Sequence, residues 1–262
     1  MKRDQRASAP GGGVSETHAV DHEGNPLDCD RCSLRAELDA LDCTPGRACP
    51  HDRQKRRVER FFRDNAALAD LFLAHPYRET RAVAARYANI FRLAALIEDP
   101  DETVRGAVAQ RLPQRLLRRL MRDAHREVRI RVAMRLNPLS LLQMCDDEDY
   151  YVRVLVAQRL APSFLARMAK DEDREVRLAV ATRMHPSALG SFLEDREVTV
   201  RRLAATRATG AVLNAFARDT AWEVRWEVAV RAGERLAREL SMDLDPEVRA
   251  AARERLAQLP KA

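Results

Sequence analysis

The sequence predicts an all-α solenoid of 24-residue repeats, preceded by a small cysteine-rich segment. Three observations lead there. The pattern V-R-x-x-V-A-x-R-L recurs as VRGAVAQRL (104–112), VRIRVAMRL (128–136) and VRVLVAQRL (152–160). Its first arginine returns at one constant step, as Arg81, Arg105, Arg129, Arg153, Arg177, Arg201, Arg225 and Arg249, with no insertion. Four of the five cysteines, Cys29, Cys32, Cys43 and Cys49, crowd into one short stretch near the N-terminus. A fixed period of this length is the signature of stacked supersecondary units.

The first stretch, residues 1–26, is rich in glycine and polar residues and is expected to be flexible. It has no apolar core of the kind a secretory signal needs. No apolar run approaches the roughly 18–20 residues that span a bilayer. A reducing, cytoplasmic setting without membrane association is therefore expected. There, clustered cysteines serve as metal ligands or redox groups more often than as disulfides. The 262-residue chain carries 42 Arg and 4 Lys against 40 acidic residues, for a net charge of +6. That excess is a weak pointer to an anionic partner.

Residues 27–74 form the predicted cysteine-rich domain and its linking helix. The spacing is C-x2-C-x10-C-x5-C. Cys29 and Cys32 can hold one centre from a single turn. Ser33 is a candidate cap for a short helix with Leu34, Leu38 and Leu41 at helical spacing, which would carry the chain back. Thr44-Pro45-Gly46 supplies a turn, so that Cys43 and Cys49 approach from the other side. Four thiolates suit zinc or an iron–sulfur cluster, and the spacing alone leaves both open. His22 and His51 lie close enough in sequence to replace a cysteine ligand, although His51 reads as a surface residue. Cys145 occupies a repeat position held elsewhere by Met121, Ala169 and Leu193, and reads as a small core residue. Within 53–73, Val58, Phe61, Phe62 and Leu68 are spaced to cover the first repeat. Arg53, Lys55, Arg56 and Arg57 form a basic run beside the cysteines. It suits charge balance around an anionic site, nucleic-acid contact or a solvated face.

Residues 75–262 contain eight repeats. In the copy starting at Asp99, Val104, Val108 and Leu112 lie one below another on a helix. Acids precede the stripe, where free N–H groups favour negative charge. Asp245–Pro246 pairs a cap with a proline at the first helical position. Pro138, Pro162 and Pro186 interrupt their units, since proline cannot continue a helix. About two turns remain after the break, which predicts a short helix, 3₁₀ in character. No unit buries its stripe alone, so stacking must do it. The first arginine lies near the apolar face, where an unpaired charge is costly. The aspartates that lead the units, Asp99 through Asp243, are its expected partners, within or between units. A phosphate-binding groove built from these arginines is the competing reading.

The two parts together resemble the leucine-rich repeat variant proteins over roughly residues 27–260. The resemblance implies a right-handed solenoid of alternating α- and 3₁₀-helices. It also implies a 4Fe–4S cluster held by Cys29, Cys32, Cys43 and Cys49, and an association with nitrogen-fixing bacteria. The first unit departs from the pattern, with His75 for the leading aspartate and Tyr87 for the second arginine. That puts its pairing in doubt. The last unit has Ala252 where valine would stand.

Three functions follow as expectations. The first is a protein-binding or scaffold repeat protein whose cluster is redox-active, sensory or structural. The second is nucleic-acid binding through the arginine rows. Aromatic residues are only 5%, however, and a stacking residue recurring in register is not expected. The third, an enzyme, finds no phosphate loop, zinc-protease motif or nucleophile elbow. No catalytic residue is assigned.

Overall fold

The computed structural model describes residues 19–36 and 41–260. The described residues contain helices and turns, with no strand beyond two isolated bridges. They form two compact units, 1–112 and 113–262. Sequence reading groups 1–26 as one stretch; residues 1–18 lie outside the described region, and 19–26 form a hydrogen-bonded turn.

In the first unit, α1 (Lys55–Asp64), α2 (Arg78–Tyr87) and α3 (Glu102–Ala109) each begin a repeat. The 3₁₀ helices Ala66–Phe72 and Ile90–Leu96 follow α1 and α2. These two short helices are themselves one full period apart, so the residues read as a linking helix fold as one more repeat. The sequence hid this unit because Arg56, Arg60 and Phe61 stand where the other copies have valine, valine and alanine. Val58, Phe61 and Phe62 are fully buried, as expected. Leu68 is only half-buried and sits in the 3₁₀ helix, where Ala69 and Phe72 take the interior.

The second unit holds α4 (Gln114–Leu117), α5 (Arg126–Arg135), α6 (Tyr150–Arg159) and α7 (Arg174–Arg183). It continues with α8 (Val198–Arg207), α9 (Gly210–Ala215), α10 (Trp222–Ala229), α11 (Glu234–Leu240) and α12 (Pro246–Gln258). The short helix of each repeat is 3₁₀ where proline opens it, at Pro162–Met168 and Pro186–Phe192. It is α-helical where Gly210, at φ 55°, or Gly233 precedes or opens it. Asp101, Asp149, Asp173 and Asp245 cap their helices by accepting from an N–H two residues on. Each such cap contributes about 1 kcal/mol.

The interior is a column of like residues. Leu117, Leu141, Leu165, Leu189 and Leu213 hold the same place in successive repeats and are buried. Three aromatics do share a register, contrary to expectation: Phe72, Phe192 and Phe216. All are buried, so they are core rather than stacking residues. Cys145 is also buried, as predicted.

Both arginine rows bind the repeats together. Arg81, Arg129, Arg153, Arg177, Arg201 and Arg225 each reach the leading aspartate of the next repeat, at 2.7–2.9 Å. The same guanidinium donates to the carbonyl of its own repeat's leading residue, as Arg177 Nη1 does to Asp171 O at 2.8 Å. That contact uses the backbone, so His75 can replace aspartate there: Arg81 donates to its carbonyl at 2.8 Å and pairs with Asp99 as usual. The doubt about the first repeat's pairing is thereby removed.

The second row crosses to the preceding helix. Arg111 donates to the carbonyls of Ala85 and Ala88 at the end of α2, and Arg183 to those of Ala157 and Leu160 at the end of α6. A cation there satisfies terminal carbonyls and favours the negative end of the helix dipole. Where Tyr87 replaces the second arginine, its ring stacks on Phe62 instead. The guanidiniums of these rungs are committed to carboxylates and carbonyls of the protein itself.

The rung at Asp243 gives a pH prediction. Its hydrogen bond from Arg225 holds this carboxyl below the usual carboxylate range. A depressed folded pKa stabilises above the unfolded value, about 3.9, and is lost as pH falls through the folded value. The stability gap between the parent and Asp243→Asn should therefore be widest at neutral pH. It should shrink below about pH 4, as followed by denaturant unfolding.

Candidate metal centre

All four clustered cysteines line one cavity of about 490 Å³ in the first unit. Local geometry explains how. Cys32 N–H donates to Cys29 O, closing the first turn. The backbone N–H of Leu34 donates to Cys32 Sγ at 3.5 Å. The thiol, rather than Ser33, thus accepts at the start of the following segment. Leu34 is buried and Leu41 half-buried. Leu38 falls within 37–40, outside the described residues.

Thr44 and Ala48 exchange backbone hydrogen bonds at 2.8 Å across the turn, with Gly46 at φ 78°. The left-handed conformation favours glycine, which has no Cβ to clash. This small bridge sets Cys43 beside Cys49, so the two thiols interact directly. Their shared proton holds Cys43 below the usual thiol range and, with burial, pushes Cys49 up. Burial also raises Cys29, and the nearby Cys49 and Cys32 add to it. None of the cysteines is in a disulfide.

These residues fit an iron–sulfur cluster. Four soft thiols line the cavity, with two backbone N–H groups, those of Leu34 and His51, directed at Cys32 and Cys49 sulfurs. A positively charged core would favour the thiolates that burial and mutual repulsion otherwise disfavour. Among the described residues no three His, Cys, Asp or Glu side chains converge on a single-ion site.

Three histidines, His22, His51 and His75, also line the cavity. His51 is not the surface residue its sequence context suggested. It is half-buried, with its ring edge on Phe72 and its Nδ1 3.0 Å from His75 Nε2. Burial lowers the pKa of His51, and burial plus the His51 charge pushes His75 down to about 4. His22 stacks on Tyr77 at 5.4 Å. Sequence reading missed His75 as part of the site. The available signal was that His51 and His75 are one repeat apart.

The first repeat is bonded to the cysteine segment. Thr80 Oγ1 donates to Pro50 O at 2.8 Å, and Tyr77 Oη to Arg53 O at 3.0 Å. Asp52, fully buried, accepts from Gln54 N–H and pairs with Arg57 at 3.0 Å. In the basic run, Arg57 is thus committed and Lys55 pairs with Glu79. Arg53 and Arg56 are exposed.

Fold and site define the class: an α/3₁₀ repeat protein carrying a four-cysteine iron–sulfur segment on its first turns. Comparison with known proteins agrees. Residues 19–71 match the family model described as LRV protein FeS4 cluster. A solved leucine-rich repeat variant, described as having a novel repetitive structural motif, is 46% identical. It superposes with a TM-score of 0.76, covering 88% of this chain and 99% of that one. An uncharacterized 27.7 kDa protein from the nifB 3′ region of Rhodobacter capsulatus is 46% identical over 94 residues. That match spans 36% of this chain and 38% of the relative's length. The chain belongs to the leucine-rich repeat variant family. No helix among its described residues is long and apolar enough to cross a membrane.

Proposed function

We propose that this chain is a protein-binding repeat protein whose N-terminal end is held in shape by a 4Fe–4S cluster on Cys29, Cys32, Cys43 and Cys49. The observation that carries the reading is the shared wall: the cavity of the four cysteines is closed on one side by His75 and Pro76 of the repeat array. A change at the cluster is therefore felt by the first repeat. The cluster supplies a one-electron couple and sensitivity to oxidants.

The chain's own residues do the rest. The Leu34 and His51 amides stabilise negative charge on the Cys32 and Cys49 sulfurs. Thr80 and Tyr77 tie the segment to α2. The repeats beyond provide the extended surface that stacked units characteristically use for macromolecules. Four thiols match a cuboidal cluster corner for corner, which leaves no open iron for substrate and favours binding over catalysis. Zinc is the alternative occupant: it would take the same four sulfurs at about 2.3 Å. The nifB-region relative makes a nitrogen-fixation setting the first place to seek a partner. A protein partner is favoured over nucleic acid, because the arginine rungs are already bonded within the protein.

Anaerobic purification should yield a brown protein with iron and acid-labile sulfide in equal amounts, and an EPR signal on reduction. Affinity capture of the loaded and cluster-stripped forms, side by side, should retain a partner on the loaded form alone. Equal retention by both would remove the link between cluster and binding. A colourless protein containing zinc would remove the cluster itself.

A further inference from the structure

We propose that the arginine-rich short segment 114–122 is the docking surface for an acidic, leucine-bearing segment of a protein partner. This rests on the protein-binding half of the reading above and does not involve the cluster.

The stretch reads QRLLRRLMR. It contains α4 and a 3₁₀ turn, Arg118–Leu120. Leu117 and Leu120 point into the interior and are buried. Arg115, Arg118, Arg119 and Arg122 are spaced i, i+3, i+4 and i+7, so they share the other face. All four are exposed. The repeat does not require them. The same four places hold Leu139, Leu142, Gln143 and Asp146 in the next repeat, and Ser187, Gly190, Ser191 and Glu194 two repeats further on. Like charges three and four residues apart oppose helix formation. Elsewhere on the surface such charge is matched, as where Arg126 meets Asp149 at 3.3 Å and Arg202 meets Glu227 at 2.9 Å. Among the described residues, Arg115, Arg118 and Arg122 make no ion pair. Asp146 lines a cavity with Arg122 but pairs with Arg167 instead, at 2.7 Å.

The surroundings select the partner. Gln114 donates to Arg135 O at 3.0 Å and accepts from Asn137 N–H at 2.9 Å. These bonds hold the arginine segment against the start of the next short segment. Leu139, in register with Arg115, therefore stands beside it, with 67% of its surface exposed. Guanidiniums next to an exposed leucine match carboxylates and an apolar side chain on one short stretch of protein. Each guanidinium can grip a carboxylate through two parallel hydrogen bonds, and arginine is enriched at protein interfaces. A nucleic-acid backbone fits less well, because its phosphates would continue along the array. There the places in register with Arg122 carry Asp146, Lys170 and Glu194, so the basic stripe ends after one repeat.

Fluorescence anisotropy with a labelled peptide of repeated Glu-Glu-Leu tests this on the full-length protein at low salt. The parent should bind the peptide. Protein carrying Arg115→Glu with Arg118→Glu should bind it at least about tenfold more weakly, because each reversal sets like charges against each other. Arg235→Glu, at the same repeat position as Arg115 and also exposed, should leave the affinity unchanged. A benzophenone-bearing form of the peptide should cross-link to the parent within 114–143, a measurement that needs no variant. Equal affinity in parent and double variant, a cross-link confined to other segments, or no binding by the parent would overturn the proposal. Tighter binding of single-stranded DNA of the same charge, lost in the double variant, would also overturn it by making the patch a nucleic-acid surface. None of these results touches the cluster reading, which the capture with loaded and stripped protein decides separately.

Discussion

Cys43→Ala is expected to lose its iron and to expose residues 27–60 to protease. Among the described residues of 27–50, the buried apolar side chains are Leu34, Ala48, Cys49 and Pro50. So small a core cannot offset the entropy of ordering the segment, and metal binding must supply the difference. Cys43 is the sharpest position to test because it flanks the Thr44–Ala48 bridge beside Cys49. Cleavage there should quicken at least tenfold, since a loss of only about 1.4 kcal/mol in local stability does that when opening is fast. The repeats beyond residue 75 should keep their helical circular dichroism. Cys145→Ala, at a buried position outside the cavity, should retain full iron. If Cys43→Ala were digested at the parent's rate, the segment would be holding itself together and its coupling to a cluster would fail.

The second large effect belongs to the ladder. Arg177→Ala should destabilise the protein by about 3–5 kcal/mol in denaturant unfolding, the usual penalty for leaving a buried partner without its counter-charge. Arg177 and Asp195 are each about 5% exposed. The same arginine also satisfies the carbonyls of Asp171 and Glu172. The paired change Arg177→Met with Asp195→Leu should recover much of the loss, because it removes both charges and their desolvation together. The exposed pair Arg167–Asp146 is the contrast: Arg167→Ala should leave the midpoint unchanged, since solvent screens such contacts. Equal effects at Arg177 and Arg167 would mean that the ladder is no more than surface charge.

The repeat array was largely readable before any coordinates. A 24-residue beat of valine, alanine and arginine fixes helix, break and short helix, because helical spacing and proline chemistry act within a few residues. The acidic caps at Asp101 and Asp245 were readable for the same reason. The extra repeat at 51–74 was not, because its Arg57 kept register while Arg56 and Arg60 had taken the places of its signature valines. In the site, the four cysteines were legible from their crowding alone. His51 was read as a surface residue and His75 only as an irregular aspartate.

The local sequence thus determined what recurs: the period, the helical stripe, the caps and the grouping of four thiols. Each depends on neighbours along the chain. Tertiary structure alone decided who faces whom. Arg177 could have bonded Asp171 or Asp195 on the evidence of spacing, and it takes the carbonyl of one and the carboxylate of the other. His51 and His75 meet only because stacking places residues one repeat apart side by side. A sequence records separation along the chain, whereas ion pairs and hydrogen bonds form across it, where burial makes an unmatched charge or N–H too costly to leave.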